Sequence, residues 1–195
     1  MNDTKEAAEA MVLESEHRYT AVIAGGYTGV SAEVFAAYFN QVMVFEPNPK
    51  SFELLMKRCT NIPNIIMAEQ ALGAENGWAN LVEDSISWAA NTTTRHKQGV
   101  LRAVSVVCRQ LDTFAFLTVD LLQVDVGGGE LDVLKGAEDT IYKHRPVIIV
   151  EMGKGGGRNP TETTAWLNAR NYFSTGHILD SHDYVFKFKT EQYYA

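Results

Sequence analysis

Thr20-Ala21-Val22-Ile23-Ala24-Gly25-Gly26-Tyr27-Thr28-Gly29 is an apolar run that breaks into glycines. Its uncharged start reads as a buried strand, and the glycines read as a turn. Ser31–Phe39 follows, with Val34, Phe35 and Tyr38 at helical spacing and Ser31 as the expected cap. Val42–Phe45 is a second apolar run, closed by Glu46-Pro47-Asn48-Pro49. The two prolines end a strand and set up a helix start. Lys50–Cys59 then reads as a helix and Asn64–Ala68 as a third strand. Strand–helix alternation of this kind implies a parallel sheet with crossover helices.

On the N-terminal side, residues 4–18 read as a helix capped by Thr4. On the other side the rhythm changes. Trp78–Val82 and Ala103–Val107 read as strands with no helix between them, and the polar stretch 84–102 reads as a long loop. The segment 74–110 is therefore expected to be a β and loop insertion. Alternation resumes with a strand over Leu121–Val126, a helix over Glu130–His144 and a strand over Pro146–Glu151. A helix over Thr161–Asn171, capped by Thr161, and strands over 172–178 and 183–189 complete the expected order. The last strand alternates apolar and polar residues, as an antiparallel partner does. With no repeat or linker, residues 1–195 are expected to form one domain.

The chain carries 17 basic and 24 acidic residues, a formal charge of −7. This weighs against nucleic-acid binding, which needs a basic footprint. Cys59 and Cys108 form no CxxC pair, so neither a zinc site nor a disulfide framework is expected. Met1–His17 is acidic and lacks the pattern of a signal peptide, and no apolar run reaches the ~20 residues of a membrane span. A cytoplasmic protein without a membrane partner is the expectation. Ten of the 15 glycines fall into three clusters, at 25–29, 127–129 and 153–157. Each cluster follows an expected strand.

Six places carry candidate chemistry. The turn at Gly25, Gly26, Tyr27 and Gly29 lets a ligand approach the backbone where a helix begins, or serves only as a tight connection. Glu46, about twenty residues later at a second strand's end, matches the place where an acid takes both ribose hydroxyls of a nucleotide. Asp125 stands at the carboxyl end of a buried strand, where open parallel sheets place ligands. It suits an ammonium partner, a base toward a hydroxyl, or a cation ligand. Glu130 reads equally as a first-turn acid favoured by the helix dipole. Trp78, Trp88, Arg95, His96 and Lys97 of the insertion are candidate acceptor contacts or a solvated loop. Lys154 and Arg158 are candidate anion contacts at a rim loop that lacks P-loop spacing. Glu151, at another strand end, is a candidate base.

Several blocks resemble the FkbM family of S-adenosylmethionine-dependent methyltransferases. They are Val44 to Leu55, Ala71-Leu72-Gly73, Asp125 to Glu130, Val133-Leu134-Lys135-Gly136-Ala137-Glu138, and Ile148-Ile149-Val150-Glu151. The resemblance implies a Rossmann-like class I methyltransferase fold of the α/β class: a seven-stranded, mostly parallel sheet with an antiparallel last strand. It implies S-adenosyl-L-methionine as cofactor and O-methylation of a hydroxyl on a small molecule or glycan. By this resemblance Gly25, Gly26, Tyr27 and Gly29 form the cofactor loop, and Glu46 with Pro47 lies at the ribose. Glu69, Gln70 and Ala71 lie near the adenine, and Asp125 faces the sulfonium. Asp125 and Glu151 are then the expected catalytic acids. No metal is expected.

The chain departs from the family pattern in two motifs. Where the family reads Asp-Val-Gly-Ala-Asn-x-Gly, this chain has Ile23 for the Asp and Tyr27 for the Asn. Where it reads Lys-x-Asp-Val-Glu-Gly-Ala-Glu, this chain has Gln123, Gly127 and Gly129 for the Lys, Glu and Ala. Each lost charged contact weakens binding by roughly 1.5–3 kcal/mol. An alternative reading is thus a binding or scaffold protein on the same fold with little or no catalysis. A dinucleotide-dependent oxidoreductase fits less well, because the turn lacks GxGxxG spacing.

Overall fold

The structure is a computed structural model that describes residues 4–83, 88–90, 102–153, 159–179 and 181–189. Helix α1 (Lys5–Leu13), capped by Thr4, leads into β1 (Thr20–Ala24), buried at all five positions. The chain continues through α2 (Val30–Ala36), β2 (Gln41–Phe45), α3 (Pro49–Cys59) and β3 (Ile65–Ala68). After the segment from residue 71 to 109 come β8 (Leu121–Val124), α4 (Glu130–Lys135), α5 (Glu138–His144) and β9 (Val147–Glu151). Helix α6 (Pro160–Asn168) and the hairpin β10 (Tyr172–His177) and β11 (Asp183–Phe188) end the order.

Seven strands form one sheet in the order β10-β11-β9-β8-β1-β2-β3. Pairs from β9 through β3 are parallel, and β11 runs antiparallel to both neighbours. This is the sheet expected from sequence. Helices α1, α2 and α3 cover one face, where Ile23, Phe35, Val44, Leu55 and Ile149 pack together. Helices α4, α5 and α6 cover the other, with Val22, Phe45, Leu122, Leu134, Ile148 and Leu167. Alternate residues of each strand feed opposite faces, so an uncharged parallel strand is apolar throughout.

Segment 71–109 supplies a second sheet from β4 (Ala71–Leu72), β5 (Gly77–Glu83), β6 (Trp88–Ala90) and β7 (Arg102–Arg109), in the order β4-β7-β5-β6. The expected loop over 84–102 therefore contains a short strand: residues 81–83 of β5 pair antiparallel with residues 88–90. Arg95, His96, Lys97, Lys154 and Arg158 lie outside the described residues. Among the described residues no helix is long and apolar enough to cross a membrane.

Local corrections have local causes. The helix expected over 130–144 is broken at Gly136. A Cβ there would collide with the carbonyl oxygen of Gly73, and helix α5 starts afresh because Asp112 accepts the Asp139 and Thr140 amides at 3.0 and 2.8 Å. Helix α2 is capped by Gly29 in the left-handed region rather than by Ser31. Helix α6 is capped by Asn159, with Pro160 as its first residue, rather than by Thr161. Strand β8 stops at Val124, which leaves Asp125 just beyond it.

Candidate functional site

Strands β9, β8, β1, β2 and β3 are consecutive neighbours and parallel, so their carboxyl ends share one rim. The glycine clusters after β1 and β8, and Gly153 after β9, meet there. So do Glu46, Asp125, Glu151, Glu69 and Gln70. At ~4.8 Å per strand, Asp125 sits about 10 Å along the rim from Glu46, and Glu151 about 14 Å. Ala71 is different: it is buried in the small core of the second sheet with Ala79, Leu81, Val106 and Cys108.

The β1–α2 turn is tied to β2. The Phe45 carbonyl accepts the Gly25 and Gly26 amides at 2.9 and 3.1 Å. Gly25 has φ +92°, and a Cβ on it would collide with the Asp125 carbonyl oxygen. Its bare backbone lets the ends of β1 and β8 close up, and Asp125 donates its amide to the Ala24 carbonyl at 2.9 Å. Tyr27 follows with φ +45°, a costly conformation for an aromatic residue, and its side chain is exposed.

Glu46 explains how Tyr27 is held. The Glu46 residue is 7% exposed. Oε2 accepts the Tyr27 amide at 2.7 Å and Oε1 accepts the Asn48 amide at 2.8 Å. Burial raises the pKa of the carboxyl, and these two amides offset part of that rise. Each oxygen keeps further acceptor capacity. Asn48 in turn caps α3 through Oδ1, which accepts from Lys50 and Ser51. Among the described residues, Asn48 Nδ2 and Gln70 Oε1 are buried and lack a hydrogen-bond partner. Gln70 follows β3, and the Ala68 carbonyl accepts both the Gln70 and Glu46 amides, at 2.9 and 3.1 Å. An orphaned donor and an orphaned acceptor thus lie in the chain segments next to the buried carboxylate. Pro47 is half-buried and separates Glu46 from Asn48.

The β8 and β9 ends are built from acids and glycines. Asp125 is 9% exposed, and Gly127 and Gly128 have φ +75° and +134°. Glu130 is buried and accepts the Gly128 amide at 2.8 Å, so it folds this loop back on itself. Glu151 stands opposite Asp183 in the antiparallel β9–β11 register. Asp183 is buried. Burial, with the Glu151 charge, raises its pKa, while Ser181 opposes the shift. The sequence reading missed Asp183 and Asn48. A residue before Pro49 at a helix start was a usable signal for Asn48. Nothing local marks Asp183, whose partner is 32 positions away.

The two sequence departures prove to be neighbours. Ile23 pairs with Gln123 across β1 and β8, and Gln123 pairs with Ile149 across β8 and β9. Ile23 and Ile149 are fully buried. Gln123 is 6% exposed, and its Oε1 lacks a partner among the described residues. The family resemblance implies an Asp and a Lys at these two paired positions, where this chain has two uncharged residues. The exchange leaves no uncompensated buried charge.

Comparison with solved structures finds the same architecture. A methyltransferase FkbM from Methylobacillus flagellatus matches with a TM-score of 0.62 and 17% identity over 89% of this chain. The chain spans 45% of the length of that protein. An rRNA methylase from Streptococcus thermophilus matches at 0.52 and 11% identity, covering 94% of this chain and 95% of that one. The N-methyltransferase NodS from Bradyrhizobium japonicum, in complex with S-adenosyl-L-homocysteine, matches at 0.53 and 11%, covering 94% and 83%. At these identities the likeness shows the fold alone. No curated protein matches the chain. The family described as "Methyltransferase FkbM domain" matches residues 24–185, from the end of β1 into β11. The chain belongs to the FkbM methyltransferase-domain family.

Proposed function

We propose that this protein is an S-adenosyl-L-methionine-dependent methyltransferase acting on a hydroxyl oxygen of a small molecule or glycan. The observation that carries the reading is the buried Glu46 carboxylate. It already orders the glycine turn through Tyr27 and keeps acceptor capacity on both oxygens, as two vicinal ribose hydroxyls require. The orphaned Asn48 Nδ2 and Gln70 Oε1 supply one donor and one acceptor, which suits the edge of an adenine ring. The residues present therefore fit the cofactor. When bound, it supplies an electrophilic methyl group on a sulfonium.

The chain's own part is positioning. Gly25, Gly26, Tyr27 and Gly29 set the backbone beside the cofactor, and Glu46, Pro47, Glu69 and Gln70 hold its nucleoside end. Asp125, about 10 Å along the rim, faces the reacting end. Asp125 or Glu151 takes the proton of the acceptor hydroxyl. The net charge of −7 favours a neutral or cationic acceptor over a nucleic acid.

Calorimetric titration with S-adenosyl-L-methionine tests the reading. Wild type should bind, and Glu46→Ala should weaken binding by about 10- to 100-fold, the loss of charge-assisted hydrogen bonds. No heat with wild type at millimolar cofactor would sink it. The loss of side chains at Gly127 and Gly129 favours a second reading, a binding protein on this fold. Cofactor binding unaffected by Glu46→Ala, with no methyl transfer to any hydroxyl acceptor, would select it.

A further inference from the structure

We infer that Arg58, in the last turn of α3, is a positioning residue for the ligand turn at Gly25–Gly29; the inference rests on the cofactor reading of that turn. Arg58 Nε donates to the Thr28 carbonyl at 2.9 Å, and an Nη1 hydrogen bond at 2.8 Å joins Arg58 to Glu33 in the first turn of α2. One guanidinium thus grips the turn and the helix that follows it. Its planar fork presents separate N–H groups to the two acceptors in a fixed geometry, where an ammonium is a single flexible point charge.

The need for such a grip comes from Tyr27. A non-glycine residue at φ +45° persists only where its surroundings over-determine it. Glu46 holds the amide on the N-terminal side of Tyr27. Arg58 holds the next carbonyl on its C-terminal side. Helix α3 is also packed close enough that a Cβ on Gly29 would press on Leu55 Cδ1 at 2.8 Å and Cys59 Sγ at 3.0 Å. Glu46 is the only one of the two clamps assigned to the ligand. Arg58 keeps Tyr27 in place, with its amide aimed at Glu46, and so keeps the Glu46 carboxylate oriented for the ligand. Loss of that grip lowers the competent fraction of the turn, and apparent affinity falls by the same fraction.

Three variants test this: Arg58→Ala, Arg58→Lys and Glu33→Gln. Each is read by calorimetric titration with S-adenosyl-L-methionine, by amide hydrogen exchange across Tyr27–Gly29 in ligand-free protein, and by melting temperature. Arg58→Ala should raise the dissociation constant about three- to tenfold. Exchange at Tyr27 should quicken while the melting temperature changes little, because the ion pair to Glu33 is exposed. Arg58→Lys should recover part of the affinity. Glu33→Gln keeps the bond to Thr28 and should stay within about twofold of wild type. Wild-type affinity and wild-type Tyr27 exchange in Arg58→Ala would overturn the inference. So would a Glu33→Gln effect as large as that of Arg58→Ala. If wild type binds no cofactor, the enzyme reading falls, and the exchange arm alone decides whether Arg58 holds the turn.

Discussion

At the end of β2 a single buried carboxylate gathers two backbone amides, and a guanidinium from α3 fastens the turn beside it. At the end of β8, two neighbours along the same rim, the loop holds three consecutive glycines, and its local brace is Glu130 folding back onto the Gly128 amide. The first region carries the acid that the family resemblance implies, Glu46, beside a turn in which Tyr27 departs from the family pattern. The second departs from the pattern that the family resemblance implies at Gly127 and Gly129. The structure separates two kinds of loss that look alike in sequence. Gly127 and Gly129 remove side chains from the rim itself. Ile23 and Gln123 lie deeper, face each other across β1 and β8, and exchange one buried polar pair for a neutral one.

The sharpest break in this comparison is a charge returned alone. Ile23→Asp puts a carboxylate at a fully buried position beside Gln123 and should cost about 3–5 kcal/mol. Adding Gln123→Lys should recover much of that loss, and a double-mutant cycle by denaturant unfolding measures the coupling. Additive single effects would show that the two positions do not communicate.

Next in size is Gly25→Ala. Its positive φ and the Asp125 carbonyl leave no room for a methyl, so a loss of about 3 kcal/mol is expected, read as a lower unfolding midpoint. A near-neutral result would mean that β1 and β8 part easily at the rim, and that the tied and untied ends are less different than they look.

A smaller effect is expected at the acid pair, and its sign depends on pH. Asp183 has its folded-state pKa raised above 3.8, by burial first, with the facing Glu151 adding to it and Ser181 opposing. Wild type therefore loses stability as pH rises through that folded pKa. Asp183→Asn does not titrate. It should be more stable than wild type at neutral pH, with the advantage fading as pH falls toward 3.8. Melting curves from pH 3 to pH 8 would show it, and a constant difference across that range would remove the pair's role.

The smallest expected change is none at all. Burial, aided by Glu33, pushes the Cys59 thiol up to about 11, and Cys108 is shifted the same way by burial. Both should resist an aromatic disulfide reagent at pH 8 until the protein unfolds. Rapid labelling of native Cys59 would mean that α3 lifts off the turn that Arg58 grips.

The parallel sheet was legible because buried strands, glycine turns and amphipathic helices are written in local patterns. Thr20–Ala24 needed no partner to be read as a strand, and Glu46 after the second strand needed only its offset from the glycines. Element edges were less legible where a distant group sets them. Helix α5 begins where Asp112, 27 residues upstream of Asp139, supplies its cap. The strand at Trp88–Ala90 exists because β5 offers it a ladder. At the site, the carboxyl-end acids could be named singly. Their relations could not, because these depend on strand order and register.

By itself, then, the amino-acid order determined the alternation, the buried runs and an acid at the end of the second strand, since period, turn chemistry and charge are properties of neighbouring residues. The tertiary structure alone decided that Ile23 lies against Gln123, Glu151 against Asp183, and Arg58 against Thr28. Those contacts join residues 30 to 100 positions apart. They arise only after seven strands take one order and α3 packs down beside the turn.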